Sequence, residues 1–220
     1  MTGFPDKLIT GFHQFRSGQF AKERKRYRAL IEKGQKPQTM VIACCDSRAA
    51  PEIIFNTPPG ELFMLRNVAN LVQPYCPDGE YDATSAALEF AVQSLKVKHI
   101  VIMGHSRCGG IQAALAPAGE PLSPDDFIGK WMDPLTSAAR TLNANDLMTD
   151  AERQIALERI SIRNSIENLR TFPHIAAAEA KECLILHGAW FDIAAGELWI
   201  MDPATGHFNR LRSDNEADEE

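Results

Sequence analysis

Two apolar segments, about sixty residues apart, constrain the fold of this chain most strongly, because each stops abruptly at polar and reactive side chains. Residues 39–44 are apolar and β-branched and lead into Cys45-Asp-Ser-Arg48, while residues 100–104 lead into His105-Ser-Arg-Cys108. Short, continuous apolar runs of this kind are typical of strands buried in a parallel sheet. The carboxyl ends of such strands lie at one edge of an open α/β sheet, where these folds carry their sites. We therefore expect the two groups of polar side chains to meet.

The segment between these two strands predicts a helix. Asp82 or Thr84 can cap its start, and one apolar stripe follows at helical spacing: Leu88, Ala91, Val92 and Leu95. A helix between two buried strands is the connection that parallel strands require. Residues 61–65 predict a further strand, and residues 184–191 and 197–201 predict a hairpin. The pattern as a whole predicts an α/β fold with a mainly parallel central sheet flanked by helices and an antiparallel hairpin at its edge.

The domain organisation follows from length and composition. A chain of 220 residues suits one well-buried domain, which we assign to residues 1–212. Leu8, Phe12 and Phe15 recur at helical spacing and predict a long amphipathic helix as an N-terminal arm over residues 1–33. Residues 213–220 are rich in Asp and Glu and predict a disordered acidic tail.

Bulk properties narrow the partners and the compartment. A net charge of -6 argues against a nucleic-acid partner, and no apolar run approaches the roughly 20 residues of a membrane span, so no membrane partner is expected. The first residues lack the basic and apolar regions of a secretory signal. Five cysteines, an odd number, disfavour a disulfide framework. We expect a cytoplasmic protein in which cysteines bind metal.

The residues at the two strand ends are those that zinc prefers. Cys44, His105 and Cys108 would supply two thiolates and an imidazole, and three protein ligands leave the fourth tetrahedral position for water, as in catalytic sites. Alternation in an extended segment puts Cys44 and Asp46 on one side and Cys45 on the other, although spacing alone leaves Cys45 open as a ligand. If Asp46 were a fourth ligand, the site would be closed and would instead suit a zinc-stabilised binding module without catalysis.

The order Cys44-x-Asp46-x-Arg48 followed by His105-x-x-Cys108 resembles the β-class carbonic anhydrases. The similarity extends to three further stretches, in order and in separation: 59–63, 66–70 and 104–110. The resemblance implies a carbonate dehydratase, a lyase that uses one Zn²⁺ per chain and its bound hydroxide to interconvert carbon dioxide and bicarbonate. It also implies a homodimer or homotetramer. In such an enzyme Asp46 accepts the hydrogen of the zinc-bound water and Arg48 holds Asp46 off the metal.

The resemblance further implies a substrate pocket, part of which crosses a subunit interface, formed by Gln35, Phe63, Val68, Phe90 and Gly109. Phe90 departs from the Tyr of some relatives and lacks its hydroxyl. For the apolar members, plain core packing stays open as an alternative. An enzyme that hydrolyses carbonyl sulfide or carbon disulfide on the same scaffold would carry the same metal ligands, so the ligands leave this alternative open as well.

Overall fold

A computed structural model describes residues 3–78, 82–116 and 121–212 of the chain. The predicted acidic tail, residues 213–220, lies outside the described residues. The strands are β1 (Thr39–Cys44), β2 (Leu62–Asn67), β3 (His99–His105), β4 (Ile185–Asp192), β5 (Glu197–Met201) and β6 (Phe208–Arg210). Within the described ranges they form one six-stranded sheet in the order β2-β1-β3-β4-β5-β6.

The sheet is mainly parallel and ends in antiparallel strands, which confirms the predicted fold class. The pairings β1 with β2, β1 with β3, and β3 with β4 are parallel, whereas β5 and β6 add antiparallel. The hairpin of β4 and β5 was predicted, but β6 was not. Three residues are too few to show a strand periodicity, and β6 forms only because β5 offers it a free edge.

Helices surround the sheet as predicted. They are α1 (Asp6–Ser17), α2 (Gln19–Lys33), α3 (Pro51–Ile54), α4 (Ala83–Glu89), α5 (Gly109–Leu115), α6 (Phe127–Met132), α7 (Thr136–Asn143), α8 (Asp150–Arg170) and α9 (Pro173–Ala180). A turn of 3₁₀ helix (Val68–Asn70) follows β2, a π-helix (Phe90–Leu95) extends α4, and a second 3₁₀ turn (Asp133–Leu135) links α6 to α7. Asp82 caps α4 by accepting from the N–H groups of Thr84 and Ser85. No helix in the described part of the chain is long and apolar enough to cross a membrane.

The N-terminal arm differs from the single long helix that the sequence predicts. The helix breaks at Gly18, between α1 and α2, and the aromatic rings of Phe15, Phe20 and Tyr27 pack together across the break. Neither helix contains a buried residue. Arg26 ties the arm to the domain by donating to the Pro59 carbonyl at 2.6 Å and to Glu61 at 2.9 Å. The arm therefore contributes nothing to the core of its own chain.

Helix α8 packs closely on the middle of the sheet, and its position determines which side chains lie beside the carboxyl end of β3. Thr149 and Glu152 form a capping box at its start, where each side chain binds the other residue's backbone N–H. Ile162 is fully buried and approaches Gly104 in β3 and Gly188 in β4 so closely that an added Cβ would lie 2.8 Å and 2.9 Å from its atoms. The absence of a Cβ at both glycines leaves room for Ile162, and the preceding turn of α8, which carries Glu158, lies beside the loop that follows β3.

Candidate metal centre

Three side chains that could bind a metal converge where β1 and β3 end. Cys44 is the last residue of β1, His105 is the last residue of β3, and Cys108 lies immediately before α5. Because β1 and β3 pair in parallel, with Ala43 opposite Met103, their carboxyl ends are neighbours. The ligand atoms of the three side chains lie within 4.8 Å of one another, and all three residues are buried.

The two sulfur atoms have the spacing that a tetrahedral metal ion needs, and the histidine has a lone pair available to bind it. Zinc–sulfur bonds of ~2.3 Å at tetrahedral angles would separate two sulfurs by about 3.8 Å, and the Sγ atoms of Cys44 and Cys108 are 3.9 Å apart. His105 directs Nδ1 at the Ser106 carbonyl, 2.9 Å away, while its buried Nε2 has no hydrogen-bond partner among the described residues. The lone pair of Nε2 is thus available, so the residues present fit zinc.

The electrostatics of the two thiols also favour a cation. The hydrogen bond from Cys108 lowers the pKa of Cys44 to about 4, and the same contact, together with burial, raises the pKa of Cys108 well above its usual range. The contact with Cys108 thus favours the thiolate form of Cys44. A divalent cation would stabilise both thiolates in this buried position.

Cys45 lies outside this cluster. It is exposed, and its backbone N–H donates to the Asn67 carbonyl at 2.9 Å, which continues the pairing of β1 with β2 by one residue. The structure thus places Cys44 with the other ligands and Cys45 away from them, which is the arrangement that strand alternation predicts.

Asp46 and Arg48 form a bidentate ion pair beside the ligands. Arg48 donates from Nε to Oδ1 of Asp46 at 3.0 Å and from Nη2 to Oδ2 at 2.7 Å, and the backbone N–H of Arg48 donates to Oδ1 at 2.9 Å. These bonds lower the pKa of Asp46 far below its usual range. Oδ2 of Asp46 lies 4.0 Å from Nε2 of His105, so the ionised carboxylate faces the ligand cluster.

Arg66 fixes the backbone on which this arrangement depends. Its Nε donates to the carbonyl of Cys44 at 2.9 Å, and its Nη2 donates to the carbonyl of Asp46 at 2.6 Å. Cys44 ends β1 and Asp46 lies just beyond it, so the guanidinium binds the backbone carbonyls where the strand stops. Arg66 belongs to the stretch 66–70 that is similar to the family, but its contacts with the carbonyls of Cys44 and Asp46 require β2 to lie beside β1, which sequence spacing does not reveal.

The structure brings only two of the predicted pocket residues to this end of the sheet. Val68 begins the 3₁₀ turn after β2 and is 39% exposed, and Gly109 directly follows Cys108 with open space at the position of a Cβ. Phe63 lies opposite Met40, four residues before Cys44 and therefore ~13 Å along the strand. Its ring packs at 5.8 Å from that of Phe90, which is 49% exposed.

Gln35, the remaining predicted pocket residue, is exposed in the connection between α2 and β1. It leads into the start of β1, whereas the ligand cluster lies at the end of that strand. Within one chain, therefore, Gln35, Phe63 and Phe90 do not join the ligands.

Sequence reasoning missed a buried carboxylate beneath the ligand loop. Glu158 of α8 is 1% exposed and accepts from the backbone N–H of Cys108 at 3.0 Å and from Nε1–H of Trp190 at 3.0 Å. Burial raises its pKa. Gln154, one turn earlier, donates from Nε2 to the Cys108 carbonyl at 3.4 Å. The signal was present in the sequence, because Glu158 occupies the same helical stripe as the buried Ile162.

The open α/β sheet and the Cys-His-Cys group at the carboxyl ends of its strands place this chain among the α/β proteins that could bind a metal at that edge of the sheet. Residues 39–198 match the model of the carbonic anhydrase family, and the chain belongs to the β class of that family. It is accordingly a carbonate dehydratase, a lyase.

Individual relatives agree with this assignment. The chain is 32% identical over 216 residues to β carbonic anhydrase 6, mitochondrial, of Arabidopsis thaliana, covering 97% of this chain and 73% of the relative. The structure of the β-carbonic anhydrase CcaA superimposes with a TM-score of 0.83 at 29% identity, over 95% of this chain and 92% of the other. A tetrameric β-carbonic anhydrase of Sordaria macrospora gives 0.77 at 29% identity, over 93% and 100%.

The ion pair of Asp46 and Arg48 has a testable effect on pH behaviour. The pKa of Asp46 is lowered in the folded chain, so the pair adds stability above the ordinary Asp value of ~3.9 and loses it as the pH falls through the folded value. We expect Arg48→Ala to raise the pKa of Asp46 towards ~3.9. NMR titration of the side-chain carboxyl carbons measures this shift, with Arg26→Ala as a distant control. An unchanged Asp46 titration in Arg48→Ala would contradict the assignment.

Proposed function

We propose that the chain is a zinc enzyme that catalyses the reversible hydration of carbon dioxide to bicarbonate and a proton. The observation that carries the proposal is the convergence of Cys44, His105 and Cys108 within 4.8 Å, beside the ionised Asp46, in a member of the β-class family. One zinc ion per chain would bind to these three side chains. Zinc in such a site lowers the pKa of a coordinated water from ~15.7 to about 7, which supplies the nucleophile for hydration near neutral pH.

Asp46 would orient a water molecule in the fourth coordination position of the zinc. As an ionised carboxylate it can only accept hydrogen bonds, so a water molecule beside it turns a hydrogen towards Asp46 and a lone pair away from it. Arg48 binds both carboxylate oxygens and so holds Asp46 in this orientation. Arg48 is half-exposed, so this side of the site is open to solvent.

The same contacts weigh against a closed, purely structural zinc site. Such a site would need Asp46 as its fourth ligand, and Arg48 already binds both of its oxygens at 3.0 Å and 2.7 Å. The three-ligand arrangement with an open position is the one that catalytic zinc sites use. No contact of the described residues favours carbonyl sulfide or carbon disulfide over carbon dioxide.

We also propose that two or four copies of the chain assemble and complete each other's sites. Val68 and Gly109 would form the wall of a chain's own site, while Gln35, Phe63 and Phe90 would line the site of a neighbouring subunit. Three observations support this. These residues lie away from their own ligand cluster, β2 is an edge strand without a further neighbour in the described chain, and Phe12 and Leu8 of the arm are more than half exposed. The Sordaria macrospora neighbour is tetrameric.

The compartment remains a prediction. Five free cysteines suit the reducing cytoplasm, whereas the name of the Arabidopsis relative places that protein in mitochondria. Fractionation of cells followed by detection of the chain distinguishes the two, and recovery in an organelle would overturn the cytoplasmic assignment.

Metal analysis tests the ligands. We expect one zinc per chain in the wild type and loss of most zinc and most hydration activity in Cys44→Ala and Cys108→Ala, because thiolate ligation dominates the affinity of such sites. Cys45→Ala is the matched control and should keep both, since Cys45 lies outside the cluster. Full zinc occupancy in Cys108→Ala would rule out the proposed site.

The Asp46 and Arg48 pair is tested by stopped-flow hydration of carbon dioxide. Asp46→Asn should keep its zinc and lose activity about tenfold to hundredfold, a typical cost of changing a group that orients a metal site. The amide can donate a hydrogen to the neighbouring water and turn it the wrong way. Arg48→Ala should lower activity by freeing Asp46 to approach the metal. Wild-type rates in both variants would reduce the pair to a structural role.

Subunit mixing tests the shared pocket. Cys108→Ala retains intact pocket residues and Phe90→Ala retains intact ligands, so a hybrid of the two contains one complete site if Phe90 acts across the interface. Co-refolding the two weakly active variants should then recover activity, while light scattering reports the assembly. If Phe90 acts within its own chain, or not at all, the mixture shows no more activity than the sum of its parts.

A further inference from the structure

The ligand Cys108 is held by its peptide groups as well as by its place in the loop. Its backbone N–H donates to Oε1 of Glu158 at 3.0 Å, and its carbonyl accepts from Nε2 of Gln154 at 3.4 Å. Glu158 and Gln154 are four residues apart on α8 and therefore neighbours on one face of that helix. Two side chains of one helix thus contact the backbone of a single candidate ligand: Glu158 binds the N–H, and Gln154 shares the carbonyl with the N–H of Gln112, which donates to it at 2.9 Å.

Glu158 is an unusual residue to find at this position. It is 1% exposed, and no ion pair of the described residues neutralises it. A buried carboxylate without a cation is costly, and core packing alone would be served better by an apolar side chain of similar volume. Its two oxygens instead accept from two N–H donors, Cys108 on one side and Nε1 of Trp190 on the other. A carboxylate can accept from both at once, and a side-chain amide offers only one acceptor oxygen.

Two other contacts restrain the chain around Cys108, since its carbonyl also accepts from the N–H of Gln112 at 2.9 Å and the Arg107 carbonyl accepts from Nη2 of Arg48 at 3.3 Å, while Glu158 holds the Cys108 N–H. Arg107, immediately before it, has a positive φ of 55°, a backbone conformation that costs energy in a residue other than glycine. Cys108 itself is extended and makes no strand pairing, since β3 ends at His105. The bond to Glu158 holds the peptide between Arg107 and Cys108 from its buried side, and the position of Sγ, 3.9 Å from that of Cys44, depends on the orientation of this peptide.

We propose that Glu158 and Gln154 are positioning residues of the metal centre, which hold the peptide of Cys108 so that its thiolate meets the metal at the required distance. This inference rests on the zinc site of the proposed function. It concerns groups that touch neither the metal nor the substrate, and it assigns a role to α8 that neither the family match nor the ligand motif contains.

The decisive comparison is between Glu158→Leu and Glu158→Gln. Leucine removes every acceptor and leaves the Cys108 N–H unpaired, whereas glutamine keeps one oxygen that can accept from it. We expect Glu158→Leu to weaken zinc binding about tenfold to hundredfold, as the loss of groups that orient metal ligands typically does. Glu158→Gln should recover most of that loss, and Gln154→Leu should weaken binding in the same direction.

Two readouts that do not depend on catalysis measure the effect. Chelator competition gives the zinc affinity, and replacement with Co²⁺ gives the thiolate-to-metal absorption band, which changes when Cys108 is displaced. Ile166→Ala is the control for stability, because Ile166 is buried on the same helix two turns from Glu158 and lies in the core cluster away from the ligands. Trp190→Phe is the second control, because it removes the other N–H donor to Glu158 and leaves the hydrogen bond between Glu158 and Cys108 in place.

A positioning role predicts weaker zinc binding and an altered Co²⁺ band in Glu158→Leu, with both close to wild type in Ile166→Ala and Trp190→Phe. Equal losses of affinity in Glu158→Leu and Ile166→Ala, or unchanged affinity in Glu158→Leu, would overturn it. If Glu158→Leu does not fold, Gln154→Leu decides by the same readouts, and wild-type behaviour there rejects the inference. Zinc binding by a wild type that fails to hydrate carbon dioxide would reject the proposed function alone.

Discussion

Two cysteine thiols and an imidazole meet in the interior of the protein. The structure around them depends on which partners satisfy these buried polar groups. Buried polar groups need partners, yet His105 Nε2 has none among the described residues, and the contact between the two thiols lowers the pKa of Cys44 while it raises that of Cys108. A divalent cation satisfies all three atoms together. The protein contributes the convergence itself, which requires β1 and β3 to be parallel neighbours that end at the same level.

The surroundings of these ligands divide into an exposed side and a buried side. On the exposed side, Arg48 binds both oxygens of Asp46 and so fixes the orientation of the carboxylate that faces the Cys-His-Cys group. On the buried side, Glu158 holds the Cys108 peptide and Arg66 holds the carbonyls that follow β1. Each of these contacts binds a backbone group or an acidic side chain at a point where regular strand pairing has ended. The irregular backbone needed for a metal site is thereby stabilised by side chains of neighbouring elements.

Much of this could be predicted from the sequence because local patterns determine it. Buried parallel strands show as short apolar runs, and β1 occupies the predicted residues. The polar residues at the strand ends then follow from topology. The break at Gly18 could not be predicted in this way, because the apolar spacing continues across it, and β6 is too short to show a pattern. The role of Glu158 depends on which loop faces α8, and the positions of Phe63 and Phe90 relative to the ligands depend on strand register. The spacing of apolar residues along the sequence carries no information about such non-local contacts.

The close approach of α8 connects the core to the metal centre. Gly104 precedes the ligand His105, and it lies against Ile162, four residues after Glu158 on the same helix. A Cβ at Gly104 would lie 2.8 Å from the end of the Ile162 side chain, so Ile162 would have to shift on the helix that also carries Glu158. The small residue in the strand and the acidic residue in the helix therefore act on the same loop from different elements. The packing of Ile162 against Gly104 sets the distance between α8 and β3. The position of Glu158 relative to Cys108 therefore depends in part on an apolar contact one helical turn away.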